Sequence, residues 1–300
     1  MQYVGRFAPS PTGPLHVGSL LTAVVSYLHA RRSEGQWLVR IEDIDPPREI
    51  RGATEMILAA LEAFDLTWDR EVYYQSRRMD DYRQMADELL VQGSAYRCSC
   101  SRRDIRGDGS AGPLGFRYRG LCRNRQQHDR ATAIRVQADR ATGSFHDGMQ
   151  GFCRYDVGAS TGDYVIFRND GLPAYHLAVV MDDAEQGVTD VVRGVDLLPT
   201  TGLHIHLQQT LKLPTPRYCH LPVIVNAAGQ KLSKRTGARP VEPADAAAIA
   251  TEIVTYLGLK PPPSLHGARP RELWAWALEH WNPVDLSGRT EWVERPSNGY

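Results

Sequence analysis

Phe7-Ala-Pro-Ser-Pro-Thr-Gly-Pro-Leu-His-Val-Gly-Ser19 follows a short β-like start (Tyr3, Val4, Phe7) and runs into an apolar stretch of helical period from Leu20 to Leu28. A strand, a tight Pro/Gly loop and a helix start together make a nucleotide phosphate site. The helix start offers unpaired backbone N–H groups and a partial positive charge, and Gly18 lets phosphates come close. His16 adds a side-chain donor at the same mouth. Far downstream, Lys231-Leu-Ser-Lys-Arg235 places two lysines and an arginine around Ser233 in a loop. Either segment alone is weak. In this order and at this distance they reinforce each other.

Working outward, strand-like runs at Val4–Phe7 and Trp37–Ile41 flank a helix over Leu20–Arg32, a βα unit returning to a parallel strand. Helical patterns come next at Arg51–Phe64 and Met79–Gln92. From Cys98 to about residue 130 the chain turns rich in Arg, Gly, Ser and Asp with little periodicity, as in a small inserted module. Strands at Thr132–Val136 and Tyr164–Arg168 lead to a helix at Ala174–Asp183, a strand at Thr189–Arg193, a helix at Thr200–Leu211 and a strand at Leu221–Val225. The alternation predicts an α/β fold, a doubly wound parallel sheet carrying an insertion. Beyond Pro240 helices are expected at Ala244–Leu257 and Arg269–Trp281, separated by Pro261-Pro-Pro263, with the last fifteen or so residues loose. The expected division is a catalytic domain split over residues 1–97 and 132–240, an inserted module over 98–131 and a short helical tail over 241–300.

Hydrophobic residues make up 42% of the chain, enough for a sizeable core. Acidic and basic residues balance at 35 each, so no global basic field marks a nucleic-acid binder. Local clusters at Arg102-Arg103, Arg117-Tyr-Arg119 and Arg123-Asn-Arg125 can still contact phosphates. No run approaches the length of a membrane span and no leader pattern is visible, so a cytoplasmic protein without membrane contact is expected. Three of five cysteines crowd between positions 98 and 122, unlike a secreted disulfide framework. Cys153 and Cys219 stand apart and read as buried thiols.

His-Val-Gly-Ser and Lys-Leu-Ser-Lys-Arg resemble the HIGH and KMSKS signatures of class I aminoacyl-tRNA synthetases. Arg6-Phe-Ala-Pro-Ser-Pro-Thr-Gly13, Arg40-Ile-Glu-Asp-Ile-Asp-Pro-Pro-Arg48 and Asp190-Val-Val-Arg-Gly-Val-Asp196 resemble the glutamyl branch, and most of all its shortened glutamyl-Q group. The likeness runs over roughly residues 3–240. It implies a Rossmann-like catalytic domain that joins an amino-acid carboxylate to the α-phosphate of ATP. The stretch beyond Arg235 is too short for the large helical anticodon-binding region of a glutamyl-tRNA synthetase.

That chemistry needs donors aimed at a polyanion and at charge on a five-coordinate phosphorus. His16, Gly18 and Ser19 are assigned to the triphosphate, with Lys231 and Lys234 closing over it; the resemblance makes Lys234 the main ATP contact. Magnesium is expected to arrive with ATP, held by phosphates and water. Arg6 and Arg193 can each grip a side-chain carboxylate through two parallel bonds, Glu42 can face the α-ammonium, and Ser10 and Tyr175 can add hydroxyls. The resemblance places Arg6, Ala8, Ser10, Glu42, Tyr175 and Arg193 at the family's amino-acid positions.

Cys98-x-Cys100 with Cys122 suggests one structural zinc. From chemistry alone His128 is the ordinary fourth ligand, whereas Tyr118-Arg-Gly-Leu-Cys122 resembles the glutamyl-Q Tyr-x-x-x-Cys segment, in which the tyrosine completes the site. Two departures stand out. Leu21 sits where ordinary glutamyl synthetases tend to carry an arginine, and Leu203-His204 replaces an Arg-Gln pair near the amino-acid pocket. The resemblance implies activation of L-glutamate without tRNA and its transfer to queuosine in the anticodon of tRNA(Asp), by a monomer. The alternatives are a compact glutamyl-tRNA synthetase-like enzyme charging a 3′ end, or a non-catalytic tRNA-binding paralogue.

Overall fold

The four residues of β1 (Val4–Phe7) are all buried, and the computed structural model describes them together with residues 2–112, 114–232 and 239–294 at large. After the Pro/Gly loop, helix α1 (Val17–Arg32) buries Leu20, Leu21, Val24, Val25 and Leu28. A helix apolar on several faces belongs inside a layered core rather than on its surface. Ser26 serves both neighbours: its hydroxyl donates to the Arg6 carbonyl and accepts from Trp37 Nε1, each at 3.1 Å. Basic residues His29, Arg31 and Arg32 end the helix, where the dipole favours positive charge. The turn into β2 (Gln36–Ile41) needs Gly35, because a Cβ there would lie 2.4 Å from the Tyr3 carbonyl oxygen.

β1 and β2 pair in parallel from Val4 opposite Gln36 to Phe7 opposite Val39. Helix α2 (Ala53–Ala63) then leads to β3 (Tyr73–Tyr74), which pairs parallel to β2. Helix α3 (Met79–Val91) is followed by β4 (Ala95–Cys98), α4 (Arg102–Asp108) and a minimal hairpin of β5 (Ala111–Gly112) and β6 (Gly115–Phe116). Strand β7 (Ala133–Val136) sets Ala133 opposite Cys98, so residues 99–132 leave and rejoin the fold at one point. A hairpin of β8 (Thr142–Asp147) and β9 (Gly151–Asp156), the short helix α5 (Val157–Ser160) and β10 (Tyr164–Phe167) come next. β10, β7 and β4 form an antiparallel sheet over a second core with α3 and α6 (Tyr175–Glu185).

The chain then returns to the other side of β1 with β11 (Asp190–Gly194), helix α7 (Thr201–Leu211) and β12 (Arg217–Leu221). The main sheet is parallel throughout, in the order β12-β11-β1-β2-β3. This is the doubly wound sheet expected from the alternation, and its strand order reverses between β1 and β11.

Two expectations need correction. The strand expected over Leu221–Val225 is divided: β12 ends at Leu221, Pro222 intervenes, and β13 (Val223–Val225) belongs to another pairing. Proline has no N–H for a ladder, which accounts for the break. The stretch up to residue 294 is also more ordered than its polarity suggested, and the rest of the end expected to be loose, residues 295–300, lies outside the described residues. Helices α8 (Ala246–Tyr256) and α9 (Pro270–His280) pack on α1, and β14 (Glu291–Val293) pairs parallel to β13 with Trp292 buried. Among the described residues no helix is long and apolar enough to cross a membrane.

Candidate active site

A crevice of about 620 Å³ opens where β1 and β11 end side by side, the place where parallel doubly wound sheets hold ligands. Its walls include Arg6, Ala8 and Ser10 after β1; His16, Gly18 and Ser19 at the start of α1; Glu42 after β2; Tyr175 on α6; Arg193 on β11; and Lys231. Thus every residue expected to bind ATP or glutamate comes to one cavity except Lys234, which lies outside the described residues. Thr12, Arg48 and Asp196 also line it; they lie within the signature segments, but no role had been expected of them.

The phosphate end is built by local chain geometry. His16 is the N-cap of α1, and its Nδ1 accepts from the Ser19 N–H at 3.3 Å. A neutral imidazole that accepts at Nδ1 carries its proton on Nε2, which lies 3.0 Å from Ser19 Oγ. The ring therefore offers a donor beside the helix N-terminus. A Cβ at Gly18 would meet this ring at 3.3 Å, so the glycine also makes room for His16. Lys231 follows an Asx-type turn at Asn226, whose Oδ1 accepts from Ala228 N and Gln230 N. Its Nζ contacts Asp196 Oδ2 at 2.5 Å across the cavity mouth.

The opposite end is charged and buried. Arg40, fully buried, donates to Asp183 at 2.8 Å and to Glu42 at 3.4 Å, and Arg6 Nε donates to Asp183 at 3.1 Å. Burial pushes the Glu42 carboxyl up to about 7, against the pull of Arg40 and then Arg6. Burial acts on Asp183 in the same sense, but Arg6 and Arg40 together hold its carboxyl below the usual range. Asp182 and Asp183 were not anticipated as site supports. Two adjacent carboxylates in the last turn of a largely apolar helix were the available signal, since buried charges need partners.

Arg193 is held by four acceptors: His220 Nε2 at 3.0 Å, His204 Nδ1 at 3.1 Å, Thr201 Oγ1 at 2.8 Å and the Leu197 carbonyl at 3.4 Å. Behind His220, Nδ1 lies 2.5 Å from Asp147 Oδ2. His204 also lies 3.0 Å from His176 Nδ1 and beside the Tyr175 ring. Leu21, the other departure from the family pattern, is buried in the core.

In the segment between β4 and β7, the thiols of Cys98, Cys100 and Cys122 lie within 4.8 Å of one another. Tetrahedral zinc with bonds of about 2.3 Å sets sulfurs roughly 3.8 Å apart, so the donors fit that metal. The Tyr118 hydroxyl lies 3.2 Å from Cys98 Sγ and 3.5 Å from Cys100 Sγ. His128 is outside the cluster, its Nδ1 3.1 Å from Ser99 Oγ. Burial first, then the crowding of like groups, raises the Cys100 thiol to about 11. A cation at the centre reverses that cost. Of the expected phosphate-binding arginines, Arg123 is committed elsewhere: Nε and Nη2 each donate to Asp163 at 2.7 Å.

Fold and cavity define a Rossmann-like nucleotide-binding α/β protein with an inserted cysteine cluster. Residues 2–248 match the family model for the catalytic domain of class I (E and Q) tRNA synthetases. The glutamyl-Q tRNA(Asp) synthetase of Aromatoleum aromaticum is 50% identical over 95% of this chain and 90% of its own. That of Chromobacterium violaceum is 49% identical over 93% and 94%. The crystal structure of glutamate-tRNA synthetase from Elizabethkingia anophelis superposes with a TM-score of 0.77 at 27% identity, over 97% of this chain and 68% of that one. The chain belongs to the class I (E and Q) tRNA synthetase family, within its glutamyl-Q tRNA(Asp) synthetase group, and is a ligase.

Proposed function

We propose that the protein activates L-glutamate with ATP in the absence of tRNA and passes the glutamyl group to queuosine in the anticodon of tRNA(Asp). In the first step an α-carboxylate oxygen attacks the α-phosphorus of ATP and the bond to pyrophosphate breaks. In the second, a hydroxyl of the cyclopentenediol attacks the acyl carbon, AMP leaves and the hydroxyl proton is released. The observation that carries this reading is the single cavity between β1 and β11, with phosphate donors at one end and Glu42, Arg6 and Arg193 at the other.

His16, the Gly18–Ser19 helix start and Lys231 take the triphosphate, with Lys234 as its main contact. Charge-assisted bonds of this kind contribute roughly 1.5–3 kcal/mol each. Lys231 exchanges Asp196 for phosphate when the nucleotide enters. Glu42 receives the α-ammonium and Arg193 the side-chain carboxylate, with Arg6, Ala8, Ser10 and Tyr175 completing the pocket. Magnesium accompanies ATP. Zinc takes Cys98, Cys100, Tyr118 and Cys122 and holds the inserted module, residues 98–131, on the catalytic domain of residues 1–97 and 132–240; the tail expected over 241–300 contributes helices α8 and α9 and strand β14 among its described residues.

Glutamate-dependent ATP–pyrophosphate exchange without tRNA tests the first step. Exchange is expected in the wild type, and Lys234→Ala is expected to lower it a hundredfold or more (about 3 kcal/mol) while the fold persists. Near-normal exchange in the variant rules out the nucleotide assignment. A non-catalytic paralogue shows none in either protein.

A further inference from the structure

Two buried arginines line the cavity, and they are treated differently by the fold. Arg6 is ion-paired with Asp183. Arg193, only 4% exposed, is held by acceptors that are all neutral: two imidazoles, a hydroxyl and a carbonyl. Burying a guanidinium without a counter-ion is costly, so such a group attracts an anion strongly.

The imidazoles can accept from Arg193 only in one tautomer each. His220 accepts at Nε2, so its proton must sit on Nδ1, which faces Asp147 Oδ2 at 2.5 Å. Asp147 is fixed in turn: its Oδ1 accepts from the backbone N–H groups of Met149, Gln150 and His220 at 2.9–3.0 Å. Its charge is thereby spent one ring away from Arg193. His204 accepts from Arg193 at Nδ1, so its Nε2–H points to His176 Nδ1 at 3.0 Å. Burial and then the Arg193 charge depress both His204 and His176, which keeps these rings neutral.

We infer that Asp147, His220 and His204 are positioning residues that fix two imidazoles as neutral acceptors, so that Arg193 presents an uncompensated charge to the side-chain carboxylate of the substrate. The inference rests on the proposed glutamate reading and adds the origin of acid-over-amide selectivity. A side-chain amide brings no charge to Arg193, and its NH₂ faces guanidinium donors.

Asp147→Asn is the decisive change. Its Oδ1 keeps the backbone N–H groups, but its NH₂ now donates to His220 Nδ1. The His220 proton moves to Nε2 and confronts the Arg193 Nε–H, donor against donor. His204→Leu removes the second acceptor, whereas His204→Gln supplies a carbonyl oxygen in its place. The readout is pyrophosphate exchange, with KM measured separately for glutamate and ATP, and with glutamine as competing substrate.

Asp147→Asn and His204→Leu are expected to raise the glutamate KM about tenfold or more, with the ATP KM unchanged within about twofold, and to erode the preference for glutamate over glutamine. His204→Gln is expected to restore most of the loss. Should Asp147→Asn fail to fold, the His204→Leu and His204→Gln pair decides alone. Equal shifts in both KM values, or no shift in a folded variant, overturn the inference while leaving the functional reading intact. Absence of exchange in the wild type overturns both.

Discussion

Glu42 shows how one residue can be both legible and incomplete in a sequence. Its place at the end of a strand was visible in Arg40-Ile-Glu-Asp-Ile-Asp45, and a strand-end carboxylate in an α/β sheet is where ligands gather. The charge balance around it was not visible, because Asp183 reaches Arg40 across a separation of 143 residues. That balance sets a pH dependence. The carboxyl is raised by burial to about 7, so below that pH the group is protonated and cannot receive an ammonium. With Glu42 as the proposed ammonium partner, glutamate binding must then expel a proton and weakens up to tenfold per pH unit. In exchange assays kcat/KM for glutamate is expected to rise with pH up to about 7 and to level off above it. Glu42→Gln is expected to lower it by roughly 10- to 100-fold and to flatten this rise. An unaltered profile in the variant means another group carries the titration.

The elements divide into those that announce themselves and those that borrow their stability. β1, α1 and β2 could be read directly, because a buried strand and an apolar helix keep their periods within the segment. β8 could not. Thr142, Gly143 and Ser144 are exposed, so no apolar alternation marks the strand, yet its end delivers Asp147 to His220. β14 is equally opaque: three residues whose only apolar anchor is Trp292, beside a paired Val293 that stays exposed. The cysteine cluster was legible as a candidate metal site, whereas for the fourth ligand chemistry alone pointed to His128 and only the family resemblance pointed to Tyr118. Cys98→Ser is expected to drop bound zinc well below about one per chain and to loosen residues 98–122. Tyr118→Phe is expected to weaken zinc retention in the presence of chelator, with His128→Ala unchanged. Elemental analysis of purified variants checks this; the reverse ranking gives the fourth position to His128.

At the scale of the whole molecule, the reversal of strand order between β1 and β11 brings residues far apart in sequence to one crevice. Arg6 and Arg193 lie on adjacent strands, and Lys231 reaches the same mouth through Asp196. The signature motifs were therefore sufficient to find the cavity, while its supporting shell required the fold. In the proposed reaction, the acceptor of the glutamyl group is set by a partner that the cavity alone does not contain. The decisive experiment is transfer of labelled glutamate to tRNA(Asp) with and without queuosine, beside tRNA(Glu), using tRNAs that lack their 3′-terminal adenosine as a control. Label that requires queuosine, survives loss of the terminal adenosine and maps to an anticodon fragment is the expected result. Label on the 3′ end of tRNA(Glu), indifferent to queuosine, contradicts the proposed reaction and makes the protein a compact acceptor-charging synthetase.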